Sequence, residues 1–119
     1  MRIILCDDDT AFTQVFAKRL LTVFKKYGIT PEIVFAHTGV EALREITCRP
    51  TDVLFLDIDM PEKDGFSVAE ELSAMPSKPL IIFLFNQSLQ NSLFLVVVIF
   101  PTIINLAEII QQNLIAIFA

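Results

Sequence analysis

Val53 to Leu56 form an unbroken apolar run that Asp57 closes, the pattern of a strand buried on both faces of a parallel sheet. That run constrains the fold more than any other feature, because such a strand needs helices on both sides and neighbours reached by crossover connections. The rest of the chain supplies them. Arg2 to Cys6 reads as a first strand, Glu32 to Ala36 as a second, Leu80 to Phe85 as a fourth and Leu95 to Ile99 as a fifth. Between the first two, Phe12, Val15, Phe16, Leu20, Val23 and Phe24 recur at three- and four-residue spacing, one apolar stripe on a helix that Gly28 ends and Pro31 follows. Thr38 with Glu41 three residues later is a capping box, opening a helix through Ile46 before Pro50. A third helix is predicted from about Phe66 to Met75, stopping before Pro76. Thr102 caps a last helix with the stripe Ile103, Leu106, Ile110, Leu114 and Ile117. The expected fold class is therefore α/β: one domain of five βα units in an open parallel sheet with right-handed crossovers, irregular between the fourth and fifth strands.

Composition narrows the function. With 54% apolar residues, 19% charged and three glycines in 119 residues, the chain collapses into a globule of single-domain size. A net charge of -5 without a basic run argues against a phosphate-contacting nucleic-acid surface and points to cations or other proteins as partners. Cys6 and Cys48 fit no metal spacing and read as buried thiols of a reducing compartment. The opening MRIILCDDD puts carboxylates where a signal peptide needs an apolar core, so export is not expected and a cytoplasmic location is. No apolar run reaches the ~20 residues of a membrane span.

The chemistry lies in acids at strand ends. Asp7, Asp8 and Asp9 follow the first strand, while Asp57 and Asp59 stand at the end of the third, so the two groups share a rim if these strands are neighbours. Crowded carboxylates raise one another's pKa unless a cation neutralises them, and oxygen ligands with positions left to water suit Mg²⁺. A carboxylate beside such an ion can attack a phosphoryl group and become an aspartyl phosphate.

Two segments, Ile4-Leu5-Cys6-Asp7-Asp8-Asp9 and Leu54-Phe55-Leu56-Asp57-Ile58-Asp59-Met60-Pro61-Glu62-Lys63-Asp64-Gly65, closely resemble the receiver domain of two-component response regulators. The resemblance implies a flavodoxin-like (βα)5 fold with strand order 2-1-3-4-5. It makes Asp57 the phosphoacceptor, Asp8 a Mg²⁺ (or Mn²⁺) ligand, Asp7 a ligand directly or through water, and the Asp59 backbone carbonyl the third protein ligand. It also implies a sensor histidine kinase as phosphodonor and a switch in place of a turnover enzyme. The wording of both segments is similar to the subgroup that carries a LytTR DNA-binding domain, none of which is expected within these 119 residues.

The likeness is typical over residues 1–83 and diverges over 84–119. Receivers carry a Ser or Thr at the end of the fourth strand and a Lys before Pro at the end of the fifth; here those positions hold Phe85 and Phe100, the latter before Pro101. Residues 80–119 contain no Lys and one charged side chain, Glu108, against 27 apolar residues among the 40. Loss of a cation that stabilises transferred oxygens predicts inefficient phosphorylation. Ser88 or Asn86 could supply a substitute donor, although turn positions account for both. A shifted reading frame beyond Leu80 would also explain the change in composition. The apolar outer face of the last helix, Ile104, Ile109, Ile115 and Phe118, predicts self-association as a homodimer or by exchange of the terminal strand and helix. Two other functions compete: a receiver fold kept as a phosphorylation-impaired interaction module, and a phosphatase of the haloacid-dehalogenase type, whose strand-Asp-x-Asp motif Asp57-Ile58-Asp59 repeats. An EF-hand is excluded because Gly65 falls at the ninth position from Asp57. His37 reads as a loop residue, Tyr27 and the phenylalanines as core.

Overall fold

The computed structural model describes residues 1–84 together with Ile110, Gln112, Asn113 and Ile117. Its elements run β1 (Arg2–Cys6), α1 (Thr10–Lys25), β2 (Glu32–Ala36), α2 (Gly39–Cys48), β3 (Val53–Asp57), α3 (Gly65–Ser73) and β4 (Leu80–Leu84). The four strands form one parallel sheet in the order β2-β1-β3-β4, as far as the described residues go the order the resemblance implied. The fifth strand at Leu95–Ile99, Phe85, Asn86, Ser88, Phe100 and the outward residues of the last helix lie outside the described residues.

Alternation along the strands sends side chains to two separate cores. Ile3, Leu5, Val53, Phe55, Leu80, Ile82 and Leu84 pack with Phe16, Leu20, Val23 and Phe24 of α1 on one face. Ile4, Cys6, Leu54, Leu56, Ile81 and Phe83 pack with Ala42 and Ile46 of α2 and Val68, Ala69 and Leu72 of α3 on the other. Side chains such as Phe16, Phe24 and Phe55 are fully buried, each worth about 1.5–3 kcal/mol relative to exposure. Ile110 and Ile117, two members of the expected last stripe, belong to the α1-side core, and the Asn113 amide donates to the Tyr27 hydroxyl at 2.9 Å.

Caps set the helix ends. Asp9 accepts from the Phe12 amide at 3.0 Å to start α1, and Gly28, at φ 71°, turns the chain out of it. Thr38 accepts from the Glu41 amide at 3.1 Å, as the capping box predicts, while the Glu41 carboxylate reaches back to the His37 amide at 2.8 Å, one residue before the cap. Asp64 accepts from the Ser67 amide at 2.8 Å and starts α3 at Gly65, one residue earlier than expected; α3 ends at Ser73 and not at Met75. The third strand likewise includes Asp57, which pairs with Leu84.

Several apolar residues read as buried are not. Val15 is 51% exposed on the outer side of α1, because the helix turns Thr13, Phe16 and Ala17 inward and Val15 falls outside that buried strip. Tyr27 and Phe35 are exposed, the first beyond the end of α1 and the second on the edge strand. Phe66 is 56% exposed although its ring lies 5.2 Å from that of Phe83. Cys6 is buried as expected, whereas Cys48, on the last turn of α2, is exposed.

The end of the sheet where β1 begins is held by Arg2, which is buried. Its Nη1 donates to the carbonyls of Glu45 (3.0 Å) and Arg49 (3.1 Å) and to Thr51 Oγ1 (3.1 Å). Nη2 pairs with Glu45 Oε2 at 2.6 Å, and Nε lies 3.5 Å from Glu32 Oε2. One side chain thus ties β1 to the last turn of α2 and to the entrance of β3.

Candidate functional site

Strand register builds the site at the other end. Cys6 pairs with Leu56 across β1 and β3, so the next residues, Asp7 and Asp57, emerge side by side at the carboxyl ends of neighbouring strands. The Asp7 amide continues the ladder to the Ala36 carbonyl at 3.1 Å. Oxygens of Asp7, Asp8 and Asp57 lie within 4.8 Å of one another, and these three form a metal-capable cluster among the described residues. An open concavity of about 340 Å³ lies over them, lined by Asp7, Asp8, Asp9, Asp57 and Asp59.

The acids differ in burial and therefore in chemistry. Asp57 is 5% and Asp7 2% exposed, while Asp8, Asp9 and Asp59 face solvent. Burial, and then the neighbouring Asp7 charge, push the Asp57 carboxyl up to about 7 against a partly opposing hydrogen bond from the Asp59 amide. Burial also pushes Asp7 up to about 6, with Asp8 and Asp9 adding repulsion and the Asp9 amide working the other way. Asp7 Oδ1 accepts that amide at 2.9 Å, and Asp57 Oδ1 accepts the Asp59 amide at 3.2 Å. Asp7 Oδ2 is buried without a hydrogen-bond partner. A buried carboxylate oxygen left unpaired is costly, and here it sits among two further carboxylates, with no cationic side chain lining the hollow among the described residues. A hard divalent cation meets both needs, so the donor set fits Mg²⁺ or Mn²⁺. Burial and the adjacent Asp7 and Asp57 charges raise the Cys6 thiol to about 12 and keep it neutral beneath the rim.

Two roles of residues already named escaped the sequence reading. Asp9 turns back to cap α1 as well as lining the hollow, which the Asp-x-x-Phe spacing could have indicated. Gly65 lets the start of α3 approach β3: a Cβ there would stand 2.6 Å from the Asp57 carbonyl oxygen, and its amide donates to Ile58 at 3.1 Å. A glycine directly after the helix cap was the available signal.

Comparison with known proteins decides the family. The family model for the response regulator receiver domain matches residues 3–97. This chain belongs to that family. An uncharacterized response regulatory protein of Vibrio cholerae is 35% identical over 81 residues, 68% of this chain and 30% of that protein. Sensory transduction protein LytR of Streptococcus agalactiae is 31% identical over 86 residues, 70% of this chain and 33% of that protein. The response regulatory domain of protein MrkE from Klebsiella pneumoniae superposes with a TM-score of 0.60 at 28% identity, covering 70% of this chain and 65% of that one. The receiver domain thus spans about a third of the length of these curated relatives. The family match favours the receiver reading over the phosphatase pattern that Asp57-Ile58-Asp59 also fits. Among the described residues no helix is long and apolar enough to cross a membrane.

Proposed function

We propose that this receiver domain accepts a phosphoryl group on Asp57 from a sensor histidine kinase. Asp7, Asp8, Asp57 and the Asp59 backbone carbonyl would together hold Mg²⁺ or Mn²⁺. The observation that carries this is the cluster of Asp7, Asp8 and Asp57 oxygens, in which Asp7 and Asp57 are buried, Asp8 faces solvent and one Asp7 oxygen is unpaired. The Asp59 amide holds Asp57 Oδ1, leaving Oδ2 to attack phosphorus. The new O–P bond makes a mixed anhydride while the P–N bond to the donor imidazole breaks, its electron pair staying on that nitrogen. The bound cation supplies charge neutralisation among the carboxylates and on the transferred oxygens. Ionised Asp57 is the nucleophile; burial raises its pKa to about 7, and a bound cation would lower it and so increase the ionised fraction near neutral pH. The product is one modified chain and not a stream of released product, so the domain acts as a switch.

Phe85 and Phe100 stand where receivers carry a hydroxyl and an ammonium, which supports slow phosphorylation. The test is intact-protein mass after acetyl phosphate and Mg²⁺. A slow gain of one phosphoryl, absent from Asp57→Asn and labile to hydroxylamine, is expected. Labelling that persists in Asp57→Asn would refute the acceptor, and rapid stoichiometric labelling would refute the handicap. Self-association through the apolar terminal segment completes the proposal; light scattering that finds only a 13.4 kDa monomer at high concentration would remove it.

A further inference from the structure

The ligands expected of this site come from two arms with unequal support. Asp7 continues a strand paired on both sides, by β2 and β3. Asp59 belongs to a turn tied to β4 by the Ile58 amide, which donates to the Leu84 carbonyl at 3.2 Å, and otherwise bonded locally: the Asp59 amide reaches Asp57 Oδ1, the Met60 amide the Ile58 carbonyl at 3.3 Å, the Lys63 amide the Pro61 carbonyl at 2.8 Å and the Gly65 amide the Ile58 carbonyl. Glu62 within it takes φ 71°, a left-handed conformation uncommon for a residue with a side chain. Nothing in that backbone pattern ties the Asp59 carbonyl to β1.

A side-chain contact does. Met60, the residue after Asp59, is buried, and its Sδ lies 3.5 Å from Sγ of Cys6, the residue before Asp7. The Cys6 thiol is also 3.4 Å from the Thr38 carbonyl at the start of α2, so its single proton has two acceptors within reach. Both side chains sit in the core beneath the rim, on the face shared with α2 and α3. Thioether and thiol are polarizable groups suited to such close contact.

We propose that Cys6 and Met60 are positioning residues for the cation site, their sulfur contact holding the Asp59 turn at a set distance from Asp7. This rests on the cation site proposed above. Groups that orient metal ligands from behind typically change affinity by about 10- to 100-fold when replaced. Cys6→Ala removes the thiol, Met60→Leu keeps the volume without the sulfur, and the double variant tests whether they act through one contact.

The experiment is a Mg²⁺ titration of wild type and the three variants followed by amide NMR shifts, with thermal unfolding measured in EDTA. Each single change should weaken Mg²⁺ binding by about tenfold, and the double variant should lose no more than the weaker-binding single. In EDTA, Met60→Leu should displace the Asp7 and Asp8 amides and Cys6→Ala the Asp59 amide, across the two arms. Unchanged affinity in both singles, or losses that multiply in the double, overturn the proposal even if unfolding temperatures fall. A wild type that ignores Mg²⁺ overturns the cation site; amide displacements confined to the substituted arm then overturn the positioning role as well.

Discussion

Arg2 and Asp7 flank one five-residue strand at its two ends, and both are buried, yet their surroundings are opposite. Around Arg2 the protein supplies two carboxylates, two backbone carbonyls and a hydroxyl, so that its charge is paired although Nε itself makes no hydrogen bond. Around Asp7 it supplies more carboxylates and leaves an oxygen unpaired. Buried charge is expensive in both places. At the first end the fold neutralises it internally and gains a junction between β1, α2 and β3. At the second the described residues leave it unneutralised, and the proposed cation would supply what is missing. The difference separates charge that joins elements of the domain from charge gathered at the proposed site.

Four measurements test this contrast, the largest effect first. Asp8→Ala should weaken Mg²⁺ binding by at least about tenfold while leaving the metal-free domain as stable as wild type or more so, since a repelling charge is removed. Calorimetric titration beside urea unfolding in EDTA measures both, and a destabilised metal-free variant would erase the contrast. Arg2→Leu should cost roughly 2–3 kcal/mol in urea unfolding, the scale of charge-assisted hydrogen bonds at a buried group, without altering Mg²⁺ affinity.

The pH dependence has a sign set by Asp7 and Asp57. Their folded pKa values, about 6 and about 7, lie above the ordinary carboxylate value of 3.8, so the folded state holds protons that the unfolded state releases. That contribution is fully present below the unfolded value and is lost as pH rises through the folded values. Metal-free stability should therefore fall by roughly 1–3 kcal/mol between about pH 5 and pH 8. Saturating Mg²⁺, which competes with the proton for the same oxygens, should reverse the slope. An EDTA profile that climbs over this range would contradict the burial argument. The smallest effect belongs to α2, which spans both ends: Thr38→Ala should cost only about 1 kcal/mol, less than the loss of Arg2 at the helix's other end. A larger cost than that of Arg2→Leu would invert the ranking.

The sequence made the acidic end more legible than the other. Asp7, Asp8 and Asp57 stand directly after unbroken apolar runs, and strand patterning put them on a common rim once the strand order implied by the resemblance made β1 and β3 neighbours. Strand limits and most of the α1 stripe followed from period and caps. Arg2 gave no such signal, because its partners Glu32, Glu45, Arg49 and Thr51 are scattered along the chain and meet only once the sheet order is known. Exposed Val15 and Phe66 mark the limit of periodicity, which reports spacing but not how wide a strip of helix the sheet can cover. The sulfur contact of Cys6 with Met60 joins residues far apart in the chain and had no pattern to announce it.

The pairing of Cys6 with Leu56 makes the two central strands a pair of rulers read against each other. Removing one residue from either strand would draw its terminal aspartate back by about 3.3 Å and turn that side chain to the opposite face of the sheet. Either change dismantles the cluster without altering a single acid. Helix surfaces and loop lengths can therefore change without disturbing the cluster so long as this register holds, whereas a single insertion or deletion within β1 or β3 separates its carboxylates.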